Sequence, residues 1–170
     1  MERLIYLLKK MDIVYNEPVV LKSGEISDFY VDIKKAYGDP ETLELISGLL
    51  WEKAKTKKPA VIAASGYGGL PPATIISSKQ NLHLTLVRDN PKNHGKKGWM
   101  DGYVPKKGDK IAIIDDVFTT GKSLKKMIEV LGQTGATIVG CYVVVKRGDG
   151  ELDIPLEYLL LTDDIINQPK

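Results

Sequence analysis

Ile111-Ala112-Ile113-Ile114-Asp115-Asp116-Val117-Phe118-Thr119-Thr120-Gly121-Lys122-Ser123 begins as a continuous apolar run. It then meets two adjacent carboxylates and passes through a Thr-Thr-Gly turn. Directly after it, Ser123–Gln133 carries Leu124, Met127, Ile128 and Leu131 on one helical stripe. Strand, turn and helix are thus read from one stretch. The strand Ile111–Ile114 is apolar at successive positions instead of alternating, as in a parallel strand buried on both faces. Further runs of the same kind lie outward from it. Ala60–Ala64 leads into Ser65-Gly66-Tyr67-Gly68-Gly69, a buried strand entering a Gly-rich turn. Leu82–Val87 and the β-branched Ile138–Val145 are further strands. Glu2–Met11 and about Pro40 to Lys55 have helical spacing, with Pro40 suited to a first turn. Strands interleaved with helices predict an α/β fold, with a central parallel sheet flanked by helices. In such sheets ligands bind beyond the carboxyl ends of the strands.

The chemistry expected at the Asp115 strand end follows from its residue types. A helix start offers N–H groups without intrahelical partners, and the helix dipole favours an anion there, so the Thr-Thr-Gly turn reads as a phosphate cradle. Carboxylates beside such a cradle repel phosphate unless they engage something else, and sugar hydroxyls or a hydrated Mg²⁺ are the natural partners. Together they suggest a phosphorylated sugar. The bland alternative is a charge pair at a helix N-terminus followed by an ordinary turn. Gly121-Lys122-Ser123 resembles the end of a P-loop, but that motif needs glycine where Asp116 stands.

Composition excludes other classes. The 170 residues carry 24 Lys+Arg against 22 Asp+Glu, a net charge of +2, which argues against a general nucleic-acid coat. Apolar runs are too short to span a bilayer, and no signal-peptide cleavage pattern follows the first helix, so a cytoplasmic protein is expected. The single cysteine, Cys141, excludes an internal disulfide framework and a multi-Cys zinc site, and reads as a small buried strand residue. The charge is uneven. Arg88 to Lys110 holds seven Lys/Arg and three Asp, a local +4. Asn90 to Gly108 shows no periodic pattern, as in an active-site lid.

The Ile113–Ser123 stretch resembles the signature of the type I phosphoribosyltransferases, which bind phosphoribosyl pyrophosphate (PRPP). The resemblance implies that Asp115 and Asp116 hold the ribose hydroxyls, and that Val117, Phe118, Thr119, Thr120, Gly121, Lys122 and Ser123 form the 5′-phosphate loop. Three further segments are similar to orotate phosphoribosyltransferases. Leu21-Lys22-Ser23-Gly24-Glu25-Ile26-Ser27-Asp28-Phe29-Tyr30-Val31-Asp32 matches their N-terminal signature. Physically it is a lysine in a turn followed by an aromatic strand, able to cover a flat anionic ring, or else a surface hairpin with a solvated lysine. Val87-Arg88-Asp89-Asn90-Pro91-Lys92-Asn93-His94-Gly95 resembles their mobile loop, whose cations suit a pyrophosphate leaving group. Lys146-Arg147-Gly148 places an arginine where the family pairs one with the orotate carboxylate, a bidentate contact that lysine does not reproduce.

The resemblance implies one phosphoribosyltransferase domain over 1–170, with a small N-terminal hood for base recognition over about 1–35 and a mobile active-site loop over about 88–109. It implies transfer of the 5-phosphoribosyl group from PRPP to orotate, with Mg²⁺ held mainly by PRPP and water and oriented by Asp115 and Asp116. Catalytic roles fall to Lys92, His94, Asp115 and Asp116. PRPP contacts fall to Arg88, Lys92, His94, Tyr67, Gly68, Gly69 and Asp115 through Ser123. Orotate contacts fall to Lys22, Phe29, Tyr30, Thr119 and Arg147. A homodimer with shared active sites is implied, with neither nucleic acid nor membrane as partner. A purine-base transferase and a non-catalytic PRPP-sensing regulator are the alternatives. The purine reading leaves Lys22 and Arg147 without a carboxylate to bind. Three positions depart from the family: Asp89 where many members carry a second basic residue, Gly68 where some carry lysine, and Lys146 where an acid is frequent.

Overall fold

The computed structural model describes residues 1–15, 19–20, 26–27, 30–91 and 98–166. Helix α1 (Glu2–Lys10) is followed by short strands β1 (Val14–Tyr15), β2 (Val19–Val20), β3 (Ile26–Ser27) and β4 (Tyr30–Val31). β1 pairs antiparallel with β4, and β2 with β3. Helices α2 (Ile33–Ala36) and α3 (Pro40–Ala54) lead to β5 (Val61–Ser65) and α4 (Gly66–Gln80). Next come β6 (His83–Val87), β7 (Met100–Gly102), β8 (Lys110–Phe118), α5 (Lys122–Gly132), β9 (Thr137–Lys146), β10 (Leu156–Leu161) and α6 (Thr162–Ile166).

The main sheet runs β10-β9-β8-β5-β6-β7, parallel throughout except for the antiparallel edge strand β7. Both faces are covered, as the apolar strands require. In β5, Ile62 and Ala64 join the layer built by Leu4 and Leu8 of α1, Ile46 and Leu50 of α3, and Ile76 of α4. Val61 and Ala63 face the opposite layer, with Leu124, Met127 and Leu131 of α5. This alternation is the period-2 geometry of a strand. Asp39 caps α3 by accepting the Thr42 N–H at 2.9 Å, and Pro40 occupies the first turn. Cys141 lies buried in β9.

Four elements differ from the sequence-based expectation. The Gly-rich segment after β5 is the first turn of the 15-residue helix α4. Its three glycines and Pro71-Pro72 all weigh against helix, and tertiary contacts override them. Pro72 has no N–H to give the Gly68 carbonyl, and the Tyr37 hydroxyl donates to that oxygen at 2.8 Å instead. Strand β8 does not stop at Ile114: it continues through both acids to Phe118, because β9 pairs with it as far as Phe118↔Lys146. The segment expected to be a structureless loop includes β7, which closes a hairpin on β6 through Val87↔Met100. Finally, β10 extends the sheet beyond β9, in register Leu156↔Cys141. A short apolar run containing Glu157 has no periodicity that separates strand from helix.

Candidate active site

The parallel strands β5, β6, β8 and β9 end along one edge of the sheet, where a cavity of about 630 Å³ opens. Most of the sequence-predicted residues converge on its wall: Tyr30 from β4, Tyr67 and Gly68 from α4, Arg88 after β6, and Asp115 through Ser123 from β8 and the start of α5. Arg147, following β9, completes the wall. Gly69 is not on it. Lys22, Phe29, Lys92 and His94 lie outside the described residues.

The two acids occupy different environments. Asp115 is 5% exposed, and its Oδ1 accepts the Asp116 N–H at 3.0 Å. Burial, reinforced by the neighbouring Asp116 charge, pushes the Asp115 carboxyl well above the usual carboxylate range, against the opposing hydrogen bonds from the Asp116 N–H and, more weakly, Ser123. Asp116 is more open, its side chain 16% exposed. Its Oδ1 accepts the Val117 N–H at 2.9 Å, and its Oδ2 accepts from the Lys34 ammonium at 3.3 Å. The floor beneath it is Gly68. A Cβ there would stand 2.4 Å from the Asp116 Cγ, so a lysine at 68 is incompatible with this carboxylate position. Gly69 plays a packing part: a Cβ there would meet the Ile114 carbonyl oxygen at 2.3 Å. Together these two close approaches seat the first turn of α4 against the end of β8.

The turn expected to cradle a phosphate leads into α5. Gly121 takes φ +76° just before the helix, and no side chain caps the first turn. The first residues of the helix line the cavity beside Thr119 and Thr120, and the leading N–H groups of a helix have no intrahelical partners. The Arg147 N–H donates to the Phe118 carbonyl at 2.8 Å, fixing the end of β9 against this turn. Burial lowers the Arg147 pKa somewhat, with Tyr30 opposing.

At the opposite wall Arg88 pairs with Asp101 of β7, while its backbone N–H donates to the Trp99 carbonyl at 2.8 Å. Asp89 accepts from the Ser65 hydroxyl at 3.1 Å, which ties the ends of β5 and β6 together and gives this acid a structural reason. Lys146 is off the cavity wall, its ammonium 5.9 Å from the Tyr158 ring centroid. Tyr67, 87% exposed, stands at the mouth. Sequence reasoning missed Lys34 and Lys126, both on the wall. Lys126 stacks its ammonium 4.2 Å from the Trp99 ring centroid. Only the nearness of Lys34 to Tyr30 in the chain signalled either of them.

Among the described residues no group of three His, Cys, Asp or Glu side chains converges as a metal cage. Asp115 and Asp116 have one oxygen each engaged by backbone N–H groups. Such a pair fits a hydrated Mg²⁺ that brings most of its oxygen ligands with its substrate.

A family model, the phosphoribosyl transferase domain, matches residues 34–168. The curated orotate phosphoribosyltransferase of Methanothermobacter thermautotrophicus is 35% identical over 150 residues, 88% of this chain and 82% of that one. The orotate phosphoribosyltransferase of Methanocaldococcus jannaschii is 36% identical over 148 residues, 87% and 83% of the two chains. Among solved structures, the orotate phosphoribosyltransferase from Aeropyrum pernix superposes with a TM-score of 0.83 at 30% identity, covering 96% of both chains.

Proposed function

The chain belongs to the phosphoribosyl transferase domain family, among its orotate phosphoribosyltransferases, and on that premise we propose how its cavity works. The reaction moves the 5-phosphoribosyl group from PRPP to orotate, giving orotidine 5′-phosphate and pyrophosphate. The C1–O bond to pyrophosphate breaks with its electron pair on the leaving oxygen. The orotate ring nitrogen gives its proton to solvent or to the released pyrophosphate and supplies the pair for the new C1–N bond.

The observation that carries the reading is the uncapped start of α5 lying beside Asp115 and Asp116 at one strand end. The α5 N–H groups, with Thr119 and Thr120, take the 5′-phosphate. Asp115 and Asp116 accept from the ribose hydroxyls and fix the ring as C1 moves between leaving group and base. Tyr30 gives the base an aromatic face, and Arg147 offers its carboxylate a two-pronged donor. Little covalent work falls to the chain; holding the partners in line and neutralising developing charge are its main contributions. Mg²⁺, when bound with PRPP, supplies electrostatic neutralisation of the pyrophosphate, and Asp115 and Asp116 are the residues that would orient it.

Arg88, Lys92 and His94 act on the leaving group in this reading. Lys92 and His94 reach the neighbouring subunit's cavity in a homodimer, and the enzyme works in the cytoplasm. That no helix among the described residues is long and apolar enough to cross a membrane is compatible with this. The test is PRPP-dependent loss of orotate absorbance, with and without Mg²⁺. Loss that requires both PRPP and Mg²⁺ supports the reading. No loss, with turnover of adenine or hypoxanthine, refutes the base assignment.

A further inference from the structure

Lys34 has no part in the scheme above, yet it touches two of its components. It sits in the short helix α2, just after the β4 strand that carries Tyr30. Its ammonium donates to Asp116 Oδ2 at 3.3 Å and to the Tyr30 hydroxyl at 3.3 Å, and it lies 3.4 Å from Asp32 Oδ1. Two of its donors are thus engaged by Asp116 and Tyr30, while Asp32 Oδ1 lies close by as an ion-pair partner without a hydrogen bond. Partial burial works against its charge, but Asp116, Tyr30 and Asp32 together hold the Lys34 pKa above its ordinary value.

Asp116 is consequently held from three sides. The Val117 N–H fixes Oδ1, Lys34 fixes Oδ2, and the Gly68 backbone forms the floor. Without Lys34, nothing else among the described residues holds Oδ2, and its charge faces the buried Asp115 uncompensated. The carboxylate is then free to turn about its side-chain bonds. Lys34 also connects the acid to the Tyr30 ring.

We propose that Lys34 is a positioning residue that orients the Asp116 carboxylate toward the ribose hydroxyls and couples the ribose subsite to the base-facing Tyr30. This rests on the reading of Asp116 as a ribose-hydroxyl acceptor.

Calorimetric titration of the full-length protein tests it, with ribose 5-phosphate and Mg²⁺-pyrophosphate as separate probes. Lys34→Gln should weaken ribose 5-phosphate binding about three- to tenfold, the range for a charge-assisted contact on a partly exposed lysine. Pyrophosphate binding should stay unchanged, and Lys34→Arg should recover most of the loss. In steady-state assays the Lys34→Gln effect should fall on KM for PRPP more than on kcat. A loss confined to pyrophosphate would mean that Lys34 touches the leaving group directly, and would overturn the positioning role. So would equal weakening of both probes with a lower melting temperature, which marks a folding defect. Asp116→Asn separates the two levels of the argument. If it weakens ribose 5-phosphate binding while Lys34→Gln does not, only the Lys34 inference fails. If Asp116→Asn leaves that binding intact, the ribose role of Asp116 fails and the Lys34 inference with it.

Discussion

Gly69→Ala would place a methyl carbon 2.3 Å from the Ile114 carbonyl oxygen and 3.2 Å from the Ala64 Cβ. Ordinary contact begins at 3.4 Å, so α4 and the end of β8 must separate by about 1 Å. Neither neighbour can rotate away, since one is main chain and the other a methyl fixed to a buried strand. Overpacking costs about 1–3 kcal/mol, and these fixed neighbours place Gly69 near the upper end. Alanine is better than glycine in a helix by about 1 kcal/mol, which offsets part of it. The expected net loss is about 2 kcal/mol, or a Tm lower by roughly 4–8 °C for a domain of this size. Gly48→Ala is the control. Gly48 lies on the exposed side of α3, with no atom within 4 Å of the place its methyl would take, so alanine there should raise Tm by roughly 1–4 °C. Thermal unfolding of the ligand-free protein by circular dichroism reads both. If Gly69→Ala melts at or above the wild type, α4 is not seated by backbone contact on β8, and the account of this wall of the cavity is wrong.

The raised pKa of Asp115 has a definite sign for stability. The folded state retains a proton that the unfolded state releases from about the ordinary Asp value of 3.8 upward, so this group's contribution falls as pH rises through that window. Urea unfolding of ligand-free protein should therefore show the stability of wild type relative to Asp115→Asn declining from pH 4 toward neutrality; parallel curves would contradict the burial argument. Arg147→Ala should raise KM for orotate roughly ten- to hundredfold, the value of a charged hydrogen-bonded pair, with KM for PRPP little changed. Arg147→Lys should recover only part of it, and full recovery would argue against a two-pronged contact. Lys92→Ala should mainly lower turnover in the orotate absorbance assay, and unchanged turnover would remove this residue from the leaving-group role. Mixed with Arg147→Ala subunits, it should regain activity if cavities are shared across a dimer, and no regain would refute the sharing.

Much of the fold is legible locally because parallel strands announce themselves as short apolar runs. Val61–Ala64 and Ile111–Ile114 are buried on both faces, and no polar residue interrupts them. The acidic strand end is equally legible, since Asp115, Asp116, Thr119, Thr120 and Gly121 follow one another in the chain. Helix α4 is not. Local propensity at Gly66, Gly68, Gly69, Pro71 and Pro72 opposes it, and what makes it a helix is distant: the Tyr37 hydroxyl on the Gly68 carbonyl and the fit against Ile114. Strand β7 escapes for a related reason. Its three residues form a strand because β6 offers them an edge, not because Met100-Asp101-Gly102 has any strand pattern.

The same distinction separates the two halves of the site. A phosphate turn is made by consecutive backbone N–H groups, so chain order reveals it. A carboxylate's orientation depends on whatever lies opposite, and for Asp116 that is Lys34, 82 positions away. The electrostatics follow this long-range pattern too. Five cationic side chains and three carboxylates line the cavity. Three of the cations, Lys34, Arg88 and Lys126, already face acids of the chain. PRPP carries roughly five negative charges at neutral pH, counted from its phosphate groups. The wall alone therefore neutralises it incompletely. The segment from Lys92 to Lys97 holds three lysines and follows directly from the Arg88 end of β6, which places the additional charge in the chain beside the deficit. On the proposed reading, the acids of the wall serve the sugar, and the charge that the pyrophosphate still needs is drawn from that lysine-bearing stretch of sequence.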